Sequence, residues 1–132
     1  MTLLEIRDLQ LTIGRHSILR DIELAVDRGE VLGVIGESGS GKTMTALSIM
    51  QLLPAAARIT GSVRLEGKEL LGKPEAELCG IRGRSIGMIF QEPMTALNPV
   101  KTIGEQVAET VLVHGRTSRA EALRIARETL DR

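Results

Sequence analysis

A glycine-rich stretch carries the clearest chemical pattern in this sequence. Gly36-Glu37-Ser38-Gly39-Ser40-Gly41-Lys42-Thr43 fits the pattern G-x-x-x-x-G-K-[ST] at every fixed position. Glycines let a backbone wrap closely around a phosphate group, because no Cβ atom intervenes, and the N–H groups of the loop can then face the anion. In this pattern the lysine reaches the outer phosphates and the threonine hydroxyl coordinates Mg²⁺. The stretch therefore predicts a phosphate-binding loop.

The segments on either side of this loop are the ones it requires. Residues 31–35 are apolar without alternation, which predicts a strand buried on both faces in a parallel sheet. After the loop, apolar residues recur at helical spacing, and Pro54 should end that helix. The apolar residues are Ala46, Ile49, Met50 and Leu53. A glycine-rich turn that binds nothing is the alternative, and agreement of pattern and context makes it the weaker one.

Alternating apolar and polar residues predict antiparallel strands near the N-terminus. Residues 9–13 and 22–26 each show this period of two, with one polar face. Residues 61–68 are typical of a short strand ending in a turn. Residues 85–90 predict a second buried strand, and the two prolines and the asparagine of residues 91–99 predict a loop directly after it.

Two helices are predicted after that loop. Thr102 and Glu105 form the sequence of a capping box, and Gly115 is the expected end of the first helix. Ser118 and Glu121 form a second capping box, which predicts a helix running to the last residues of the sequence.

Composition narrows the class of protein. The chain has 132 residues, with 17 basic and 17 acidic side chains, so it lacks the excess of positive charge on which nonspecific nucleic-acid binding depends. Its one cysteine, Cys79, excludes an internal disulfide. The first residues show no secretion signal, so a reducing cytosol is the expected compartment. His16 and His114 are expected to face solvent.

The sequence resembles the ATP-binding subunits of ABC transporters, in particular the branch that imports oligopeptides, dipeptides and nickel. Residues 36–43 match the Walker A loop, including the Gly-Glu-Ser-Gly-Ser-Gly-Lys sequence that is typical of that branch. Residues 90–99, Phe-Gln-Glu-Pro-Met-Thr-Ala-Leu-Asn-Pro, look like its Q-loop, and residues 101–106 continue the match. Walker A alone indicates only a P-loop NTPase, whereas the Q-loop stretch points to the branch. The resemblance covers all 132 residues of this chain, but these correspond to only about the first half of such a subunit.

This resemblance implies an α/β fold of the ABC-type P-loop NTPase class. Residues 1–100 would form a nucleotide-binding core of N-terminal antiparallel strands and an incomplete parallel sheet. Residues 101–132 would begin the helical subdomain, and the C-terminal half of the domain would be absent. In this family two later strands lie between the Walker A strand and the strand before the Q-loop. We therefore expect residues 31–35 and 85–90 not to pair, and the isolated chain to be poorly stable because apolar edges are left uncovered.

The same resemblance implies the ligands and partners. The loop residues Gly36, Ser38, Gly39, Ser40 and Gly41 would surround the phosphates of ATP, with Lys42 on the β- and γ-phosphates. Thr43 and Gln91 would share Mg²⁺, and Gln91 would also sense the γ-phosphate, since an amide can both ligate and donate. The subunit would pair with a second ATP-binding subunit and dock on transmembrane permease subunits. It would lie at the cytoplasmic face of the inner membrane.

The sequence departs from the family at the base and in its catalytic motifs. Ile13 stands where the family usually places an aromatic side chain against adenine, so base binding is expected to be weak. The sequence contains no Walker B segment, signature motif or switch histidine. Glu37 lies in the variable part of the phosphate loop and Glu92 is followed by Pro93 in a turn, and neither position supports the role of a catalytic base. We therefore assign no catalytic residue and expect no hydrolysis by this chain alone.

Three other functions stay open at this point. A P-loop kinase or GTPase would lack the glutamine-containing loop. An ABC-type ATPase acting on DNA would carry a long insertion after that loop and a basic face. A nucleotide-binding module that never hydrolyses would share the phosphate loop and lack the signature motif.

Overall fold

The antiparallel strands predicted near the N-terminus form the main sheet of the protein. A computed structural model describes residues 1–92 and 96–132. Strands β1 (Thr2–Ile13), β2 (His16–Asp27), β3 (Ala57–Leu65) and β4 (Lys68–Glu69) make a four-stranded sheet in the order β2-β1-β3-β4, and every pairing is antiparallel. The expectation that these strands form a sheet of their own is confirmed.

A bulge in β1 explains which of its side chains are buried. Asp8 has a positive φ of 47°, and the register shifts there against both neighbouring strands. The extra residue lets Ile6 and Leu9 both point into the core, where simple alternation would place them on opposite faces. Gly61 lies opposite, and a Cβ atom there would come within 2.5 Å of the Asp8 carbonyl oxygen. The bulge therefore requires glycine at position 61.

The chain divides into two compact units, Met1–Leu78 and Cys79–Arg132. The first contains the sheet and helix α1 (Lys42–Met50), and its buried side chains include Leu11, Leu19 and Val63. Helix α1 is shorter than predicted: it ends at Met50 because Gln51 takes a left-handed conformation with φ 53°. Helix α2 (Glu75–Ile81) spans the boundary between the two units.

The second unit contains helices α3 (Ile103–His114) and α4 (Arg119–Leu130). Thr102 and Glu105 form the predicted capping box with both reciprocal bonds. At α4 one of the two capping-box hydrogen bonds is present: the Ser118 hydroxyl accepts from the Glu121 N–H. The Glu121 carboxylate instead forms an ion pair with Arg124. Small side chains let the two helices approach closely, and the buried ones are Ala108, Ala122 and Ala126.

The two predicted parallel strands are absent, so this part of the sequence interpretation is wrong for the structure. Residues 31–35 form no strand, and Val31 and Ile35 are 94% and 99% exposed. Residues 85–90 contribute only an isolated bridge from Ile86 to Arg82. A parallel strand forms only when it is hydrogen-bonded to a neighbouring strand, and the sheet of the described residues contains neither segment. Because neither segment is a strand, the expectation that the two do not pair with each other stays a prediction.

No helix within the described ranges combines the length and the apolar character that crossing a membrane requires.

Candidate functional site: the phosphate-binding loop

The predicted phosphate-binding loop runs from Gly36 into the first turn of α1. The Ser40 N–H donates to the Glu37 carbonyl at 3.1 Å and closes a turn, and Gly39 and Gly41 both have positive φ, 83° and 95°. These angles are costly for residues with a Cβ atom, which is why glycine occupies both positions. The loop therefore has its shape from local backbone geometry.

Close packing restricts two of the glycines: Gly41 faces a buried side chain, whereas Gly36 faces an exposed serine hydroxyl that can rotate away. A Cβ atom on Gly36 would lie 2.5 Å from the Ser40 hydroxyl oxygen, and one on Gly41 would lie 2.6 Å from Cδ2 of Leu19. Leu19 is a buried residue of β2. The start of α1 is thus seated directly on the sheet, and its first turn is positioned by the core.

The N-terminus of α1 offers backbone donors to an anion. Gly41 is the N-cap residue and has no side chain to accept from the first turn, which also contains no acidic residue. The first N–H groups of a helix have no partner within the helix, and the helix dipole adds positive potential at this end. This arrangement favours a bound phosphate group.

Lys42 supplies the positive charge over the loop. Its Nζ atom donates to the carbonyl oxygens of Gly36 at 2.6 Å and Glu37 at 2.8 Å, and it lies 3.3 Å from the Ser40 hydroxyl. The ammonium group is therefore held by the same loop whose N–H groups would face an anion. Among the described residues it has no carboxylate partner, so none of their carboxylates neutralises its charge.

Thr43 differs from the other hydroxyl residues of α1. The hydroxyl groups of Thr45 and Ser48 donate back to the carbonyls of Gly41 and Met44, at 3.0 and 2.7 Å. Thr43 is exposed, and its hydroxyl has no hydrogen bond to the described residues. Those residues also contain no cluster of three or more His, Cys, Asp or Glu side chains that could hold a metal ion. A role for the Thr43 hydroxyl as a Mg²⁺ ligand stays a prediction.

Gln91 belongs to the second unit, where it is exposed. Residues 93–95 of the Q-loop-like stretch lie outside the described residues. The end of that stretch is attached to α3 by Gln106, which accepts from the Asn98 N–H at 2.8 Å and donates to the carbonyls of Asn98 and Lys101 at 3.0 and 3.1 Å. Gln106 belongs to the family match at residues 101–106, but its role could not be predicted from the sequence. Its pairing with Asn98, eight residues away, has no local sequence signature.

Ile13 is the last residue of β1 and is half-buried. It pairs with His16 across the hairpin turn and with Ala57 on β3. The structure shows an aliphatic strand end at this position, and a contact with a base stays a prediction.

The two histidines and Glu69 are the next titratable side chains considered for a functional role. His16 is exposed as expected, but His114 is half-buried and packs on Gly83, so the expectation for it was wrong. Partial burial raises the pKa of Glu69. Hydrogen bonds from the Ser62 hydroxyl and from the N–H groups of Val63, Leu71 and Leu70 outweigh this effect, so the pKa lies below its ordinary value. This carboxylate joins β3 to β4 and has no catalytic geometry.

Glu105 is a second carboxylate with a structural cause for its shift. Hydrogen bonds from the N–H and hydroxyl of Thr102 lower the pKa of Glu105, and the guanidinium of Arg119, 3.0 Å away, adds to the effect. The ion pair links the start of α3 to the start of α4. Neither shifted carboxylate lies in the phosphate-binding loop.

Comparison with known proteins gives one consistent family. The family model described as "ABC transporter" matches residues 19–131. The chain is 48% identical over 97% of its length to "Probable peptide ABC transporter ATP-binding protein y4tR" of Sinorhizobium fredii. It is 44% identical over 98% of its length to the oligopeptide transport ATP-binding protein OppD of Escherichia coli. In each case it spans about 40% of the relative's length.

A solved structure supports the same fold. The chain is similar to a structure described as the ATP binding subunit of an ABC transporter, with a TM-score of 0.66 and 28% sequence identity. The similarity covers 89% of this chain and 45% of that one.

Proposed function

The chain belongs to the ABC transporter family, and from that premise we propose that it is the N-terminal part of an ATP-binding subunit that drives import of peptides or a related small solute. The relatives named for peptide transport and the Q-loop-like residues 90–99 support this substrate class. Membership of the family also argues against the kinase and GTPase alternatives.

The observation that carries the proposal is the charge arrangement at residues 36–43. A helix N-terminus without a side-chain cap meets, in one glycine-rich loop, an ammonium group that has no carboxylate partner among the residues the structure describes. This set of donors fits the β- and γ-phosphates of ATP, because charge-assisted hydrogen bonds to an anion are the strong ones. The unpartnered hydroxyl of Thr43 fits a hard cation such as Mg²⁺, which prefers oxygen ligands.

Binding would proceed by exchange of hydrogen bonds on Lys42. Its ammonium group would break its hydrogen bonds to the carbonyl oxygens of Gly36 and Glu37 and donate to phosphate oxygens instead. The same N–H donors would then bind the ligand. The loop N–H groups would hold phosphate oxygens at the N-terminus of α1. Bound Mg²⁺ would supply further charge neutralisation between the phosphates.

The remaining assignments follow from family membership. Gln91 would share Mg²⁺ with Thr43 and sense the γ-phosphate, and Ile13 would lie at the base. The helices over residues 101–132 would dock on transmembrane permease subunits at the cytoplasmic face of the inner membrane. Hydrolysis would require a second ATP-binding subunit and the family's acidic and signature motifs, so this chain alone would bind ATP without hydrolysing it.

Replacing Lys42 with alanine in the full-length subunit tests the proposal. Loss of its charge-assisted bonds, each worth about 1.5–3 kcal/mol, should weaken binding of a fluorescent ATP analogue at least tenfold. Lys68→Ala is the matched control, since it removes one exposed lysine from β4 and should leave the affinity within about twofold, or ~0.4 kcal/mol. Unchanged affinity in Lys42→Ala would overturn the assignment.

A further inference from the structure

A second basic site lies in the first unit, at the end of the sheet where β1 turns into β2. A groove of about 570 Å³ is lined by Thr12, Gly14, Arg15 and Arg58, together with Ala55, Ala56 and Ala57. Its volume lies in the range typical of small-molecule sites, about 300–1,000 Å³. None of the residues that line it is acidic. The groove is therefore concave and positively charged.

The two arginines of the groove differ from the other arginines of residues 1–78. Arg7 pairs with Glu5, Arg28 with Glu66 and Arg64 with Glu69, and Arg20 donates to the Ser17 hydroxyl. The side chains of Arg15 and Arg58 make no hydrogen bond or ion pair with the described residues. The only unpartnered guanidinium groups of this described range thus line the same groove.

The strand register brings these groups together. Thr12 of β1 is paired with Arg58 of β3, so their side chains stand on the same face of the sheet. Arg15 follows Gly14, whose φ of 60° makes the two-residue turn between β1 and β2. The alanines at 55–57 contribute little bulk, which leaves room for a ligand beside the guanidinium groups. Residues 43 positions apart in sequence therefore contribute to one site.

We infer that this groove binds a phosphate monoester group. A guanidinium presents donors in a planar fork that matches phosphate oxygens, and two of them balance a charge of about −1.5 to −2. The Thr12 hydroxyl adds a neutral donor at the same end of the sheet. A concave site of this size suits a small phosphate ester better than a flat protein surface. None of the lining residues belongs to the 36–43 loop, although Thr12 and Gly14 flank Ile13, the position proposed at the base. The inference rests on the arginines of the groove and not on the function proposed for that loop.

The test uses the full-length subunit in a Lys42→Ala background, so that the phosphate-binding loop does not bind the probe. Glycerol 3-phosphate is titrated by calorimetry into this protein, with and without Arg15→Ala and Arg58→Ala. The matched control carries Arg7→Ala and Arg20→Ala, which removes two exposed arginines of the same unit. We expect the groove pair to weaken binding at least tenfold, and the control pair to change it less than twofold.

A second arm identifies the source of the phosphate group. The same proteins are sedimented with phosphatidylcholine vesicles, with or without phosphatidic acid. Retention that needs phosphatidic acid and both groove arginines, without binding of glycerol 3-phosphate, assigns the group to a lipid headgroup. Arg15→Lys with Arg58→Lys keeps the charge but loses the fork, and should bind several-fold more weakly than the parent.

Three results would overturn the inference: binding of neither probe by the parent protein, equal losses in the groove and control pairs, or full binding by the groove pair. Melting temperatures of all variants are measured first, and exposed positions are expected to leave them unchanged. If Lys42 proves irrelevant to ATP binding, the comparison of the two arginine pairs still reads out the groove, because both share one background.

Discussion

Replacing Gly41 with alanine should destabilise the first unit, because this residue is constrained in two independent ways. Its φ of 95° is unfavourable for a residue with a Cβ atom, at a cost of about 1–2 kcal/mol. The new Cβ atom would also lie 2.6 Å from Cδ2 of the buried Leu19. Overpacking of this kind costs about 1–3 kcal/mol. The two effects together predict a loss of about 2–5 kcal/mol.

Thermal unfolding of the full-length subunit without nucleotide measures this loss, since bound nucleotide would itself add stability. At about 2–4 °C per kcal/mol for a domain of 150–250 residues, the melting temperature should fall by roughly 4–20 °C. Gly104→Ala is the matched control: it makes the same chemical change in α3, where φ is not positive and no atom lies within 4 Å of the new Cβ atom. That variant should be neutral or slightly stabilised, because alanine is the better helix former.

A double-mutant cycle separates backbone strain from the clash. Leu19→Val shortens the side chain that meets the new Cβ atom, so the combined variant with Gly41→Ala should be less destabilised than the two single changes predict. A Gly41→Ala protein that melts within 1 °C of the parent, on the order of 0.3 kcal/mol, would refute the packing argument. Additive single changes would leave backbone strain as the whole cause.

Three further predictions concern the base, a carboxylate and the isolated chain. Ile13→Tyr should tighten ATP binding by the full-length subunit by more than about twofold, ~0.4 kcal/mol, because it supplies a ring where the family stacks adenine; a smaller change in an analogue titration would place the base elsewhere. Glu69→Gln should lower stability at neutral pH, and since the folded pKa of Glu69 is below its ordinary 4.5, the difference from the parent should shrink as the pH falls below 4.5 and vanish below the folded pKa; a difference independent of pH in urea titrations would contradict this. The isolated 132-residue chain should melt without a sharp transition, because Val31, Ile35 and Ile89 are almost fully exposed and add nothing to the buried core, and a sharp cooperative melt in calorimetry would contradict this expectation.

Patterns among residues close in sequence were sufficient to predict where the loop of the candidate site lies and which lysine belongs to it. The spacing of Gly36, Gly41 and Lys42 predicted the loop, and the structure places the ammonium group on the loop carbonyls. The capping box at Thr102 and the alternation in β1 and β2 were confirmed in the same way. Each of these features depends on hydrogen bonds or side-chain spacing within a few residues, which a single sequence contains in full.

Contacts between distant residues were decided only by the tertiary structure. Residues 31–35 have the composition of a buried strand, but a parallel strand forms only beside hydrogen-bonded neighbours, and the described residues provide none. The contact between Gly41 and Leu19 depends on how α1 packs on β2, and the register of β1 and β3 brings Arg58 to Arg15. The sequence by itself determined which short segments could form a loop, a cap or a hairpin. The sheet determined which of them meet, because register and packing depend on the whole set of neighbours at once.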